Sequence, residues 1–255
     1  LVLSSQSRAL RLLLGSVVLL AVGLSWVTRF AGVKLALGLT LAALASAFVT
    51  WRLPVRLRTT FAIVASACVT LVFFGASHVA RANVMRAATH PTRGAPVSLV
   101  DVSLAPAPAN PFCWSAMSAG RRGERYELLV ATVSIAPSIV PAIDCELEPT
   151  GHSLALTLPS LEREGGVRWD AEWSAPLADF QSLAQESCDV RAYLRWARLP
   201  FWILEPGGSI FLGDLRYDRD PGLDFAETTG TLHPARCPPF VPSWVPPRED
   251  LLRER

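Results

Sequence analysis

The side chains best equipped for chemistry are thinly spread. Four histidines, His78, His90, His152 and His233, stand far apart, and none is paired at metal-ligand spacing. His78 falls near the end of an apolar run, three residues before Arg81, where an ionisable group is a functional candidate or simply faces water. Four of the five cysteines, Cys113, Cys145, Cys188 and Cys237, lie beyond residue 100 without CxxC spacing. They admit buried thiols, or up to two disulfides in three pairings, and disfavour zinc. Cys68 sits inside an apolar run as a small packing residue.

Asp218, Asp220 and Asp224 alternate like the acidic positions of a calcium loop. Gly222, however, is one place early, and Thr229 stands where a bidentate glutamate belongs, so the stretch reads as a charged hairpin turn. Asp214 and Arg216, two apart on one strand face, read as a structural ion pair rather than a catalytic acid. No GxSxG, HExxH, Walker-type glycine loop or GxGxxG after a strand is present. Phe112, Trp114, Trp169, Trp173, Trp196, Phe201 and Trp202 read as core aromatics, with some available to line a groove.

The elements that would carry these residues divide sharply by charge. Residues 1–100 hold ten basic side chains, nine arginines and Lys34, and no acid; the remainder holds 14 basic and 22 acidic residues. An acidic second half argues against nucleic acid as its partner. In the first half, uncharged runs at about 12–28, 35–51 and 59–80 are bracketed by Arg11, Arg29, Lys34, Arg52, Arg58 and Arg81. They predict three transmembrane helices in a region spanning 1–82, with the lipid bilayer as partner and Trp26 and Trp51 near span ends. The alternatives are core helices, or a signal peptide cut near Ala21-Val22-Gly23. Positive charges tie across the two sides. The denser cluster Arg52, Arg56 and Arg58 places that loop in the cytoplasm and the C-terminal domain outside it.

A connector at 83–96 leads to an α+β soluble domain at 97–233, an antiparallel sheet with a helical pair, and then a proline-rich tail at 234–255. Alternation predicts strands at 97–104, 112–118, 126–135, 152–158 and 167–173, the last with Val167, Trp169, Ala171 and Trp173 on one face. Ser174 is the expected cap of a helix whose face is Leu177, Phe180, Leu183 and Ala184. Ser187 or Asp189 caps a second helix, presenting Val190, Tyr193, Leu194 and Ala197, which Pro200 stops. Pro206-Gly207-Gly208 then turns a hairpin between 201–205 and 209–217, and 224–232 adds a strand.

Two segments carry a family resemblance. Pro106-Ala107-Pro108-Ala109-Asn110-Pro111-Phe112-Cys113-Trp114 matches a Pro-x-Pro-x-x-Pro-Phe/Leu-x-Trp element, and Arg195-Trp196-Ala197-Arg198-Leu199-Pro200 matches an Arg-Phe/Trp-x-Arg-x-Pro element. Leu212-Gly213-Asp214-Leu215-Arg216-Tyr217 follows. In these the chain resembles the YdjM-like bacterial inner-membrane proteins, described as membrane-bound metal-dependent hydrolases. The resemblance implies an inner-membrane location and a divalent metal, with Pro108, Asn110, Pro111, Trp114, Arg195, Arg198, Pro200, Asp214 and Arg216 as signature residues of unassigned role. It names neither the small molecule nor the lipid acted on. The family's ligands are His and Asp residues of an N-terminal membrane region that finds no counterpart here. The chain reads as the C-terminal portion of such a hydrolase, inactive alone, or as a non-catalytic membrane-anchored binding or structural domain.

Overall fold

A computed structural model describes residues 15–16, 18–20, 22–23, 26–27, 33–89, 96–107, 110–145, 147, 154, 163–164, 166–205, 207–218, 225–231 and 248–252. The chain forms two units, one of residues 1–79 with 106–112, the other of 80–105 with 113–255.

Apart from its stretch at 106–112, the first unit is helical among the described residues. Helix α1, Val33–Arg52, ends just before Pro54, whose ring cannot continue the hydrogen-bond ladder, and helix α2, Val55–Ala88, begins after it. The Arg58 guanidinium turns back to the end of α1, donating to the carbonyls of Leu53 at 3.0 Å and Trp51 at 3.3 Å, where cations favour the helix dipole.

Three transmembrane helices are not what the structure shows. Among the described residues one helix, α2, is long and apolar enough to cross a membrane, over Arg56–Ala88. The apolar part of α1, Ala36–Arg52, is 17 residues, about 25 Å at 1.5 Å per residue, short of a hydrocarbon core about 30 Å thick. The span expected at 12–28 lies largely outside the described residues. α2 also runs on through residues 83–88 of the expected connector.

Its last turns belong to the second unit. There Ala80, Val84, Ala87 and Ala88 are buried at i, i+4, i+7 and i+8, one face of a helix. Arg81 donates to the carbonyl of Val102 at 3.1 Å, and the Val97 amide donates to the carbonyl of Ala88 at 3.0 Å.

The rest of this unit is α+β, with two antiparallel sheets. The first, in the order β1-β2-β3-β5-β4, contains β1 Ser98–Ala107, β2 Asn110–Arg122, β3 Arg125–Ser134, β4 Arg163–Glu164 and β5 Val167–Pro176. The second, β6-β7-β8, contains Pro200–Leu204, Ser209–Asp214 and Thr228–Thr231. Helices α3, Leu177–Glu186, and α4, Cys188–Tyr193, lie between them in sequence. The expected helical faces are the buried ones: Leu177, Phe180, Leu183 and Ala184 on α3, and Val190, Tyr193, Leu194 and Ala197 on and after α4. Ser187 caps α4, its Oγ accepting from the Val190 amide at 3.4 Å. Ser174, by contrast, is still in β5, its Oγ accepting from Arg125 Nε at 2.7 Å, and α3 starts after Pro176 without a side-chain cap.

The single face expected on β5 is also broken. A bulge puts Ala171 opposite Val130 and Trp169 opposite Ala131, so Trp169 and Ala171 point to opposite sides of the sheet. Asp170 at the bulge is held by Thr132 Oγ1, donating at 2.6 Å, and by Arg168 Nε at 2.7 Å. The strand expected at 152–158 lies outside the described residues apart from Leu154.

One apolar core joins the elements. Trp202 of β6 stacks on Phe180 of α3 with centroids 4.5 Å apart and meets Trp173 of β5 edge-on at 5.0 Å. Tyr126 of β3 completes the group, 5.0 Å from Phe180. In the β6–β7 hairpin Phe201 lies across from Gly213, and a Cβ at Gly213 would collide with the Phe201 ring. Gly213→Ala therefore overpacks the core. We expect a loss of about 1–3 kcal/mol, measured by thermal or urea unfolding of the purified chain. A surface Gly123→Asn, at a turn with φ of 60° and open space at its Cβ position, serves as the tolerant comparison.

Candidate functional site

The hairpin that brings Gly213 under Phe201 also pairs Pro200 with Asp214 in register. Hydrogen bonds then draw four signature residues to one place. Asp214 is fully buried, and its Oδ2 accepts from the Arg198 amide at 2.8 Å. Arg216 clamps the same carboxylate, Nη2 to Oδ2 at 2.7 Å and Nε to Oδ1 at 3.0 Å, while its own amide also donates to Oδ1. The i, i+2 ion pair expected from the sequence is thus present. The Pro200 carbonyl accepts from the Tyr126 hydroxyl at 2.8 Å.

Arg198 reaches outward from this hairpin to Asp101 of β1 in a two-pronged clamp, Nη2 to Oδ1 at 2.6 Å and Nε to Oδ2 at 3.0 Å. Arg248, almost at the end of the chain, donates to the same Asp101 Oδ2 at 3.1 Å and grips Asp250 with two bonds of 2.8 Å. Three aspartates and three arginines therefore form one chain of charge-assisted bonds. Asp101 and Arg248 were not singled out by sequence reasoning. The only local signal was a lone acid between Val100 and Val102, and its partners lie 97 and 147 residues away.

The electrostatics follow. Burial pushes the Asp101 carboxyl up, but the bonds and charges of Arg198 and Arg248 outweigh it and hold the group below the usual carboxylate range. The two bonds from Arg248 hold Asp250 down likewise. Burial, assisted by the Asp214 charge, raises the Tyr126 phenol well above its ordinary value, and burial does the same to Tyr193, whose hydroxyl donates to the Ala226 carbonyl at 2.6 Å. Both phenols stay protonated as donors.

The other described signature residues lie on β2 and in the turn after α4. Asn110 opens β2 with its Oδ1 accepting from the Phe112 amide at 3.1 Å, Pro111 follows it in the strand, and Trp114 is buried further along. Arg195 lies in the turn after α4, its amide donating to the Ala192 carbonyl. Pro108 is outside the described residues.

Of the cysteines, Cys113 of β2 is bonded to Cys145, with Cα atoms 5.7 Å apart. Cys188 is disulfide-bonded too, its partner outside the described residues, and Cys68 is free and exposed. His78 is exposed on α2 with its ring 4.5 Å from Phe74; His90, His152 and His233 lie outside the described residues, as do Asp220 and Asp224. Asp218 is buried. Among the described residues no three His, Cys, Asp or Glu side chains gather as a metal site requires.

Between β1, the β2–β3 turn and α3 lies a cleft of about 690 Å³. Ser98 and Val100 of β1, Arg121 of β2, Glu124 of the β2–β3 turn and Leu177 and Gln181 of α3 line it. Its volume suits a small ligand or a short stretch of chain. No protein-family model, curated protein or solved structure matches this chain.

Asp101 gives a pH dependence of known sign. A carboxyl whose folded value is lowered stabilises the fold above its unfolded value, near 4, and loses that contribution as pH falls through the folded value. Stability of the wild-type chain is therefore expected to drop below about pH 4. Asp101→Asn should lower stability at pH 7 by about 2 kcal/mol and flatten the acid limb. Urea unfolding at a series of pH values measures both effects.

Proposed function

We propose that this chain is a membrane-anchored domain that acts by binding rather than by catalysis. The observation that carries the reading is how the carboxylates of the charged chain are used. Asp101, Asp214 and Asp250 each accept charge-assisted bonds from arginine. A general acid or base must offer its proton site to a substrate, whereas these carboxylates spend their lone pairs holding β1, the α4–β6 turn, β7 and the C-terminus together. Arg198, Asp214 and Arg216, three of the residues that carry the hydrolase resemblance, are employed in that bonding. What the domain offers a ligand is the cleft.

Location in a bacterial inner membrane is part of the same proposal. Helix α2 is the anchor: its apolar stretch is long enough, and Leu71, Val72 and Phe74 along it are exposed, surface that lipid would cover. Arg52, Arg56 and Arg58 at its start favour the cytoplasm for that end. The Cys113–Cys145 bond supports an oxidising compartment for the sheet unit, since cytosolic thiols are kept reduced.

Cell fractionation and thiol accounting test this reading. The chain is expected in the membrane fraction, released only by detergent, with Cys113 and Cys145 alkylated only after reduction. A reporter active only in the cytoplasm, fused after Arg255, should remain silent. Recovery in the soluble fraction without detergent would remove the anchor. A strong cytoplasmic reporter signal together with freely alkylated Cys113 would place the domain on the other side.

A further inference from the structure

The C-terminal residues Arg248 to Leu252 behave less like a strand or helix of the fold than like a ligand laid on it. They make a single short turn, Glu249–Leu251, and belong to no sheet. Their contacts to the body are of the kinds that recognise a peptide. The Arg248 amide donates to the Leu194 carbonyl at 2.9 Å, and its guanidinium enters the Asp101 site. Leu251 is completely buried in the apolar core. Between and beyond these two side chains the body addresses the backbone. Arg121 Nη2 donates to the Asp250 carbonyl at 2.9 Å, and Gln181 Nε2 donates to the Leu252 carbonyl at 2.7 Å.

Two side-chain sockets three residues apart, one acidic and one apolar, combined with donors aimed at main-chain carbonyls, amount to a recognition pattern. The sockets set sequence preference, and the carbonyl donors hold the backbone of a segment turned as Glu249–Leu251 is. Arg121 and Gln181 also line the cleft, so the seat of the strap and the cleft share two residues.

We propose that the seat of this strap is a peptide-recognition groove that the chain fills with its own C-terminal segment. The partner it fits is a segment of another polypeptide that makes the same short turn, with an arginine three residues before a leucine. The strap is then an intramolecular competitor, and the partner's apparent affinity is reduced by the fraction of time the groove is closed. This rests on the reading that the domain acts by binding. Its test is independent of the fractionation and thiol experiments, so the two can fail separately.

The probe is a fluorescent peptide of residues 247–255, titrated into the full detergent-solubilised chain and read by anisotropy. Weakening the resident strap with Arg248→Ala and Leu251→Ala should tighten peptide binding at least tenfold over the wild type, and adding Asp101→Asn should reverse most of that gain. Equal binding to wild type and double variant, or no binding to either, overturns the proposal. So does a double variant that has lost its cooperative unfolding transition, because the strap is then an ordinary part of the core. Hydrogen exchange on the wild-type chain supplies a second measurement. The Arg248 amide should exchange at least a hundredfold faster than the amides of β3, and equal rates would mean that the strap opens only when the whole domain unfolds. A wild-type dimer dissociated by the double substitution would assign the groove to a second copy instead of a foreign segment.

Discussion

One carboxylate fixes how the second unit closes. Asp101 sits on β1, and the two guanidinium groups it binds come from 97 and 147 residues further along the chain. Neither arginine has Asp101 as its whole purpose. Arg198 donates its amide to Asp214, and Arg248 also holds Asp250 and donates toward the Arg198 carbonyl. Asp101 is therefore where the first strand of the domain, the entrance to the second sheet and the C-terminus are tied. Such contacts are non-local, and the chain must lose the entropy of long loops before gaining them. An apolar core formed at the same time has to meet that cost.

The core does so through the same residues' neighbours. Tyr126 is the hinge between the two kinds of interaction: its ring packs against Phe180 and Trp202, while its hydroxyl ends at the Pro200 carbonyl, two residues from Arg198. A phenylalanine there would keep the stacking and leave a buried carbonyl without its donor. The aromatic cluster thus ties β6 to β3, β5 and α3 a few residues after Arg198. Gly213 serves the same placement by leaving room for Phe201 across the hairpin.

Local periodicity made much of this legible. The buried faces of α3 and α4, the Ser187 cap, the turn at Gly207-Gly208 and the Asp214–Arg216 pair all follow from spacings of four residues or fewer, where neighbours in sequence are neighbours in space. The misreadings share a cause. The face of β5 depended on a bulge set by Thr132 and Arg168, which alternation does not encode. Ser174 had cap chemistry but an alternative partner in Arg125 on the adjacent strand. The span count treated each uncharged run alike, although the apolar part of α1 is too short to match α2. The candidate site was visible by halves: its signature arginines, proline and aspartate stood out, whereas Asp101 and Arg248, which complete it, carry no local mark.

Why charge occupies this junction is a question of specificity more than of strength. Replacing a buried ion pair by well-packed apolar groups often costs nothing, but removing one partner leaves a charge stranded. Apolar contacts between β1, the α4–β6 turn and the C-terminus would tolerate sliding, because one leucine surface resembles the next. A bidentate guanidinium does not slide: displaced by one strand residue, it loses both bonds and faces the wrong side of the pleat. The Asp101, Arg198 and Arg248 arrangement accepts a single register for three segments joined by nothing else nearby in sequence. The same property makes the Asp101 socket selective for an arginine-bearing segment, so the interaction that sets register within the fold is chemically suited to reading one from outside it.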